Sequence, residues 1–234
     1  MDYNEIIEIK ENTLFFLYRR DSPEHIKALY EKGEVYINTI DFIRECDQNE
    51  DRSDTQDGIS TRSFLGAVKV KLCDIGQDIN KDGISLDGIN GVMVTDSDEK
   101  GNIYCLNGIY SEHLMDERND LEFNTKTFGK SLILIHSPQK FIDRILETLK
   151  NKGYENVKYN RVSYHSNDYS GQIGFFKKHE KFKHQNEFRF FIPNKQNEPI
   201  KIYIGPLNDI ATIENNDLLK ITYTDNKEQT IKLV

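Results

Sequence analysis

Residues 13–38 read TLFFLYRRDSPEHIKALYEKGEVYIN. The apolar and aromatic start, Thr13–Tyr18, predicts a buried strand. A Ser-Pro pair, which supplies an N-cap and a proline at the first helical position, predicts a helix over Glu24–Lys32. Gly33 predicts the end of that helix in the left-handed conformation. A second strand is predicted over Glu34–Asn38, so strand, amphipathic helix and strand follow one another within 26 residues.

The rest of the chain shows more strand patterns than helix patterns. Further helices are predicted over Ile40–Glu45, Gln139–Asn151 and Ile210–Leu219. Further strands are predicted at Ser63–Cys73, Val92–Val94, Ile103–Leu106, Ser131–His136, Val157–Tyr164, Phe188–Ile192 and Lys201–Ile204. We expect hairpins that join Val92–Val94 to Ile103–Leu106 and that fold Lys220–Val234 on itself. Strands outnumber helices and do not alternate with them, which indicates an α+β fold. We expect a largely antiparallel sheet, which could be split into two halves, with a few flanking helices.

Composition indicates one domain over residues 1–234, because no Pro/Ser/Gly-rich linker divides the chain. Three widely spaced cysteines and the lack of a signal peptide predict a cytoplasmic protein. No apolar run approaches the roughly 20 residues of a membrane span, so we expect no membrane partner. The net charge of −8 argues against nucleic-acid binding across the whole protein surface. The basic segment 177–189 is the one place where such a contact is expected.

Acidic residues concentrate in residues 46–58, CDQNEDRSDTQDG, which we interpret as an exposed loop. These carboxylates could ligate Mg²⁺ or Mn²⁺, or simply form a solvated segment. Arginines on either side could instead build a charge lattice around Asp54 and Asp57. Asp78–Gly83 imitates the start of a calcium loop, but the twelfth position is Ile89, which has no carboxylate. We therefore predict a polar turn there and no metal site.

The segment most informative about function is Phe175–Ile192, FFKKHEKFKHQNEFRFFI. If it were a strand, Gln185, Glu187 and Arg189 would share one face, with Phe188 opposite. Two interpretations follow. Glu187 and Arg189 could form a structural ion pair at a strand end. Alternatively, Gln185 and Glu187 could form a catalytic Gln-x-Glu, whose carboxylate binds a ribose hydroxyl and stabilises an oxocarbenium-like centre. Spacing alone favours the structural pair, because the motif is short.

Three fragments in this order resemble the DUF2971 group of bacterial and phage proteins. The first is FFLYRRDSPEHIKALYEKGEVYINTIDFIREC with RSDTQDG behind it. The second is GNIYCLNGIYS followed by FGKSLILIHSPQKFIDRI, and the third is FFKKHEKFKHQNEFRFFI. Together they cover most of residues 14–192. The resemblance implies a lineage among bacterial and phage proteins rather than a defined reaction. For an enzyme that uses NAD or a related nucleotide, the expected setting is bacterial–phage conflict.

The chain also resembles, more loosely, the ADP-ribosyltransferase folds. In those folds an Arg or His on an early strand is followed by a helix, and a Glu stands just ahead of a late strand. Arg19 or Arg20 matches the first element, and Gln185 and Glu187 match the last. The nearest match to the middle Ser-Thr-Ser begins at Ser60, where an Arg interrupts it. The resemblance implies an NAD site between two halves of the sheet.

In that implied site Glu187 would be the catalytic carboxylate and Gln185 would orient the acceptor, while Arg19 or Arg20, with Ser60, would hold NAD. Two other functions stay open. The chain could be a non-catalytic binding or regulatory module, whose Glu–Arg pair and acidic loop serve structure or partner docking. It could also be a metal-dependent nuclease that uses the acidic loop with the basic segment 177–189.

Overall fold

The computed structural model describes residues 13–45, 56–78, 84–114, 120–214, 217–223 and 227–233. The helices are α1 Pro23–Lys32, α2 Ile40–Glu45, α3 Ser111–Leu114 and α4 Pro138–Asn151. Short 3-10 segments cover Lys126–Phe128 and Glu180–Gln185. The strands are β1 Leu14–Asp21, β2 Glu34–Thr39, β3 Thr61–Leu72, β4 Ile84–Thr95, β5 Gly101–Tyr110, β6 Asp120–Glu122, β7 Ser131–Ile135, β8 Lys158–Arg161, β9 Ser163–His165, β10 Gly171–Gln172, β11 Lys177–His179, β12 Glu187–Pro193, β13 Ile200–Tyr203, β14 Ala211–Glu214, β15 Leu218–Thr222 and β16 Glu228–Lys232.

The largest sheet confirms the predicted α+β class. Its eight strands include the path β13-β2-β5-β1-β7-β14, with β12 and β8 on the other side of β5. Every strand pair in it is antiparallel. Smaller sheets are formed by β10-β3-β4, by β11-β9 and by β15-β16-β6. Among the described helices, none is long and apolar enough to cross a membrane.

The main sheet is split along one edge of β5. On its other edge β5 pairs with β12 from residue 101 to residue 107. On the split edge it pairs with β2 at Asn102 and Ile103, and with β1 from Asn107 to Tyr110. No strand of the described chain pairs with the 104–106 stretch on this edge. The sheet therefore opens between β1 and β2.

Helix α1 bridges this split because it joins β1 directly to β2. Its N-cap is Ser22, whose hydroxyl accepts a hydrogen bond from the backbone N–H of His25 at 3.2 Å. It ends at Gly33, with φ of 63°, as predicted. A Cβ on Gly33 would stand 2.1 Å from the carbonyl oxygen of Gly205, so the chain approaches too closely there for any side chain.

The main core lies between the sheet and the helices α1 and α4. As predicted, α4 presents Phe141, Ile145 and Leu149 to it, and each is at most 1% exposed. Alternate residues of the central strands, such as Leu106 and Phe190, face this core. The opposite face carries two smaller apolar clusters. One surrounds Ile103, Phe175 and Phe191, and the other includes Tyr18, Ile109, Ile231 and Leu233.

One predicted hairpin and one predicted helix are wrong. Val92–Val94 belongs to β4, which pairs with β3 rather than with Ile103–Leu106 of β5. The predicted loop does join β4, which ends at Thr95, to β5, which begins at Gly101. A local turn signal, however, does not determine which strand pairs with which. Residues predicted as the helix Ile210–Leu219 form β14, which pairs with β7, and the beginning of β15. The C-terminal hairpin is confirmed, because β15 and β16 pair antiparallel.

Candidate functional site

A cavity of about 200 Å³ opens at the split in the sheet. Several of its walls come from the strand residues that face away from α1 and α4. Its lining residues come from the early elements β1, β2 and α2 and from the later elements β5, β11 and β12. The lining residues that carry polar or charged side chains are Arg19, Arg20, Asp21, Tyr36, Asn38, Asp57, Tyr104, Cys105, Asn107, Lys178, Gln185, Glu187 and Arg189.

Glu187 and Arg189 lie side by side on β12, as the period-2 pattern predicts. The Nε of Arg189 donates to Oε1 of Glu187 at 2.7 Å. The side chains are 4% and 1% exposed, so this pair is removed from water. Each of the two residues also has a further partner. Arg189 also donates to Asp57 through two nitrogens, at 2.6 and 2.9 Å, in the bidentate geometry that guanidinium and carboxylate favour.

Lys178 completes a buried group of four charges, which we name the ionic quartet: Asp57, Lys178, Glu187 and Arg189. Its ammonium lies 3.1 Å from Oε2 of Glu187 and 3.8 Å from Oδ2 of Asp57. The side chain is 5% exposed, in spite of belonging to a basic segment. Two carboxylates face two cations, so the quartet is neutral overall. Burial of such a group is tolerated because each charge has an opposite partner.

Gln185 reaches the same cavity by a route that strand alternation does not predict. It is the last residue of the 3-10 segment, not part of β12. Asn186 follows in the left-handed region, at φ of 42°. The Gln185 Oε1 lies 3.2 Å from the Lys178 ammonium, and the Gln185 carbonyl accepts from the Asn107 amide at 2.5 Å. The predicted neighbourhood of Gln185 and Glu187 is therefore present, with Lys178 between their polar ends.

Asp57 corrects the expectation of an exposed loop over residues 46–58. Residues 46–55 lie outside the described part of the chain, Asp54 among them. Asp57 is 0% exposed and belongs to the quartet. Its carbonyl accepts from the Arg44 guanidinium at 2.6 Å. A charge lattice around Asp57 is thus present, but its principal partner is Arg189, 132 residues away in the chain.

Electrostatics hold Glu187 and Lys178 ionised. Burial by itself would raise the pKa of Glu187, but Arg189 and Lys178 outweigh this effect, and the pKa lies below its usual value. For Lys178 burial would lower the pKa, yet Glu187 and Asp57 raise it above the usual value. Burial, and then the charge of Glu187, raise the pKa of the Cys105 thiol. Cys105 is therefore a neutral thiol at the cavity wall rather than an activated nucleophile.

The two arginines proposed to bind the cofactor make different contacts. The guanidinium of Arg19 occupies the split itself, donating to the Cys105 carbonyl at 2.8 Å and lying 4.9 Å from the centre of the Tyr104 ring. Arg20 contributes to the cavity wall, but its guanidinium bonds Asp217 and the Leu233 carbonyl beneath the small C-terminal sheet. Of the two, Arg19 is the one that bonds a carbonyl of the unpaired 104–106 stretch, and its guanidinium also pairs with Asp21 at 2.8 Å.

Ser60, the third residue proposed for the cofactor, lies elsewhere. It is exposed and does not contribute to the cavity wall. Its backbone N–H donates to the Thr95 carbonyl at 2.8 Å, so it fixes the start of the β3–β4 ribbon. The structure therefore brings together Arg19, Gln185 and Glu187, and leaves Ser60 apart.

The basic segment 177–189 does not form a continuous basic surface. Lys178 and Arg189 are 4% and 1% exposed and belong to the quartet. The described residues contain no group of three or more metal-ligating side chains. Residues 79–83 of the imperfect calcium loop lie outside the described ranges.

Comparison with protein-family models, with curated proteins and with solved structures finds no match for this chain.

Proposed function

We propose that this chain uses NAD or a related nucleotide in the manner of an ADP-ribosyltransferase, with the cavity at the sheet split as its site. One observation carries the proposal: Arg19, Gln185 and Glu187, from opposite ends of the chain, line the same cavity. Ionisable groups whose pKa values are shifted and which meet in a cleft are typical of catalytic sites. The setting of bacterial–phage conflict rests on the sequence resemblance alone.

The size of the cavity suits one end of the cofactor. Its 200 Å³ is smaller than the roughly 300–1,000 Å³ of a typical small-molecule site. The cavity would therefore enclose the nicotinamide ribose, while the rest of NAD would lie outside it. Tyr36, 48% exposed, and Phe128 provide aromatic surface within the same lining. The guanidinium of Arg19, which pairs with Asp21 at 2.8 Å, is the cation that would meet a phosphate outside the cavity.

The reaction breaks the bond between ribose C1′ and the nicotinamide nitrogen. The electron pair leaves with neutral nicotinamide, and positive charge develops on the ribose before an acceptor or water forms the new bond. Glu187 is held as a carboxylate, and a fixed negative charge in a water-poor cavity stabilises such a centre. Gln185, on the same side, would orient the acceptor.

A non-catalytic binding module is the second candidate, and a specific observation favours it. Both carboxylate oxygens of Glu187 already accept a hydrogen bond, one from Arg189 and one from Lys178. A carboxylate oxygen has two lone pairs, so each could still accept another donor. If Glu187 is structural, its role is to make these two hydrogen bonds and so to hold Arg189 and Lys178 in place.

Turnover separates the two candidates. We expect the wild-type protein to release nicotinamide from NAD, measured by chromatography. Glu187→Asp keeps the charge of the quartet but retracts the carboxylate by one methylene, and a displacement of about 1 Å can cost about 100-fold in rate. Glu112→Asp makes the same change at an exposed carboxylate paired with Arg161, and should leave the rate unchanged. Absence of nicotinamide release by the wild type would favour the binding module.

A further inference from the structure

We propose that Lys178 is the positioning residue of the cavity, holding the Gln185 amide and the Glu187 carboxylate as one unit. This inference rests on the proposed function for its catalytic meaning, but its geometry stands independently. One ammonium lies 3.2 Å from Gln185 Oε1 and 3.1 Å from Glu187 Oε2.

The backbone explains why such a link is needed. Gln185 ends a 3-10 segment and Glu187 begins β12, with Asn186 in the left-handed region between them. The two side chains are thus not held on one face by a common strand. A contact from outside the 3-10 segment and β12 can fix the separation of the two side chains, and Lys178 on β11 makes that contact. Because β11 pairs in parallel with β9, the backbone of Lys178 is itself fixed.

Charge balance makes this role specific to a cation. Arg189 serves two carboxylates, with two nitrogens on Asp57 and Nε on Glu187. Without Lys178, both carboxylates would depend on this single guanidinium, and one of them would favour its protonated form. Lys178 therefore keeps Glu187 charged as well as placed. The charged and titratable groups around Glu187 are Arg189, Lys178, Asp57, Cys105, Tyr164 and Tyr110.

The test follows the ionisation of Glu187 directly, by NMR of protein labelled with ¹³C at the glutamate carboxyl. The Glu187 signal is assigned by its absence from Glu187→Asp. In Lys178→Met we expect the titration midpoint of Glu187 to rise by about 1–3 pH units. In Lys178→Arg, which retains the cation, it should stay near the wild-type position. A midpoint unchanged in Lys178→Met would overturn the proposal, because a cation 3.1 Å from the carboxylate must shift its titration if it keeps that carboxylate charged and in place.

A charge-balanced pair of variants covers the case in which Lys178→Met does not fold. Asp57→Asn removes one anion, and Asp57→Asn/Lys178→Met removes one anion and one cation. The Glu187 midpoint should be higher in the second variant than in the first, again by about 1–3 pH units. Equal midpoints would contradict the proposal.

Turnover supplies the catalytic readout. With NAD as the substrate, the acidic limb of the kcat profile should move upward in Lys178→Met together with the Glu187 titration. If the wild type releases no nicotinamide, the proposed function fails while the NMR result still decides the role of Lys178. If turnover is present but its acidic limb does not follow the titration, Lys178 has no positioning role in the reaction.

Discussion

Removing one charge of the ionic quartet should cost far more than removing a balanced pair. Glu187→Gln leaves Lys178 and Arg189 facing Asp57 alone, and Lys178→Met leaves two carboxylates with one guanidinium. Each buried charge left without a partner costs about 3–5 kcal/mol. If the two changes acted independently, the double variant would lose about 6–10 kcal/mol, comparable with the roughly 5–15 kcal/mol stability of a whole domain.

The structure predicts a different result for Glu187→Gln/Lys178→Met. The double variant keeps the bidentate Asp57–Arg189 pair, with bonds of 2.6 and 2.9 Å, and is electrically balanced. We expect it to be no less stable than either single variant, which requires a coupling energy of at least about 3 kcal/mol. Free energies of unfolding would come from urea denaturation followed by circular dichroism, with equal slopes required across the four proteins.

A surface pair provides the matched control. Lys201 and Glu34 lie 2.8 Å apart at the surface, where water and salt screen the charges. Lys201→Met and Glu34→Gln should show no measurable coupling. Additive losses at Lys178 and Glu187, or single variants as mild as those at the surface, would refute the argument that the quartet is a desolvated, mutually dependent group.

Three further predictions concern the frame around the site. Ile145→Ala should cost about 2–5 kcal/mol in urea denaturation, because Ile145 is 1% exposed, whereas exposed Glu147→Ala should cost little. Gly33→Ala should lower the melting temperature more than Gly153→Ala, because both need a positive φ but only Gly33 meets a neighbour, Gly205, within 4 Å. The contributions of Glu187 and Lys178 to stability should both be complete between roughly pH 4.5 and pH 10.5. The folded pKa of Glu187 is lowered, so its contribution is present above the unfolded value of 4.5 and is lost as pH falls through the folded value. The folded pKa of Lys178 is raised, so its contribution is present below the unfolded value of 10.5 and is lost as pH rises through the folded value. Calorimetric melting temperatures across pH check both limbs.

Local signals predicted the elements that local chemistry controls. The Ser22 cap, the Gly33 stop and the apolar stripe of α4 are confirmed, because each depends on residues within one or two turns. The Glu187–Arg189 pair is confirmed for the same reason, since a strand places alternate side chains together. Strand pairing was less predictable. The hairpin from β4 to β5 failed because the better partner for β4 is β3.

The missing half of the site had little local signal. Asp57 ends a polar run that reads as solvated, and its partner Arg189 is 132 residues away. Lys178 belongs to a basic run, which usually indicates a charged surface. Its burial follows from two carboxylates that other segments bring to it. The sequence shows that Asp57 and Lys178 are charged, but not which groups they pair with, because that pairing depends on the tertiary fold.

A crystal structure of Glu187→Asp grown with NAD tests the proposed NAD site, because slow turnover would preserve the cofactor. We predict density for the nicotinamide ribose in the cavity at the sheet split. A ribose hydroxyl should lie within hydrogen-bond distance of the carboxylate at position 187, with Arg19 towards the phosphates. NAD bound away from this cavity, or an empty cavity at saturating NAD, would show that the cavity is not the NAD site.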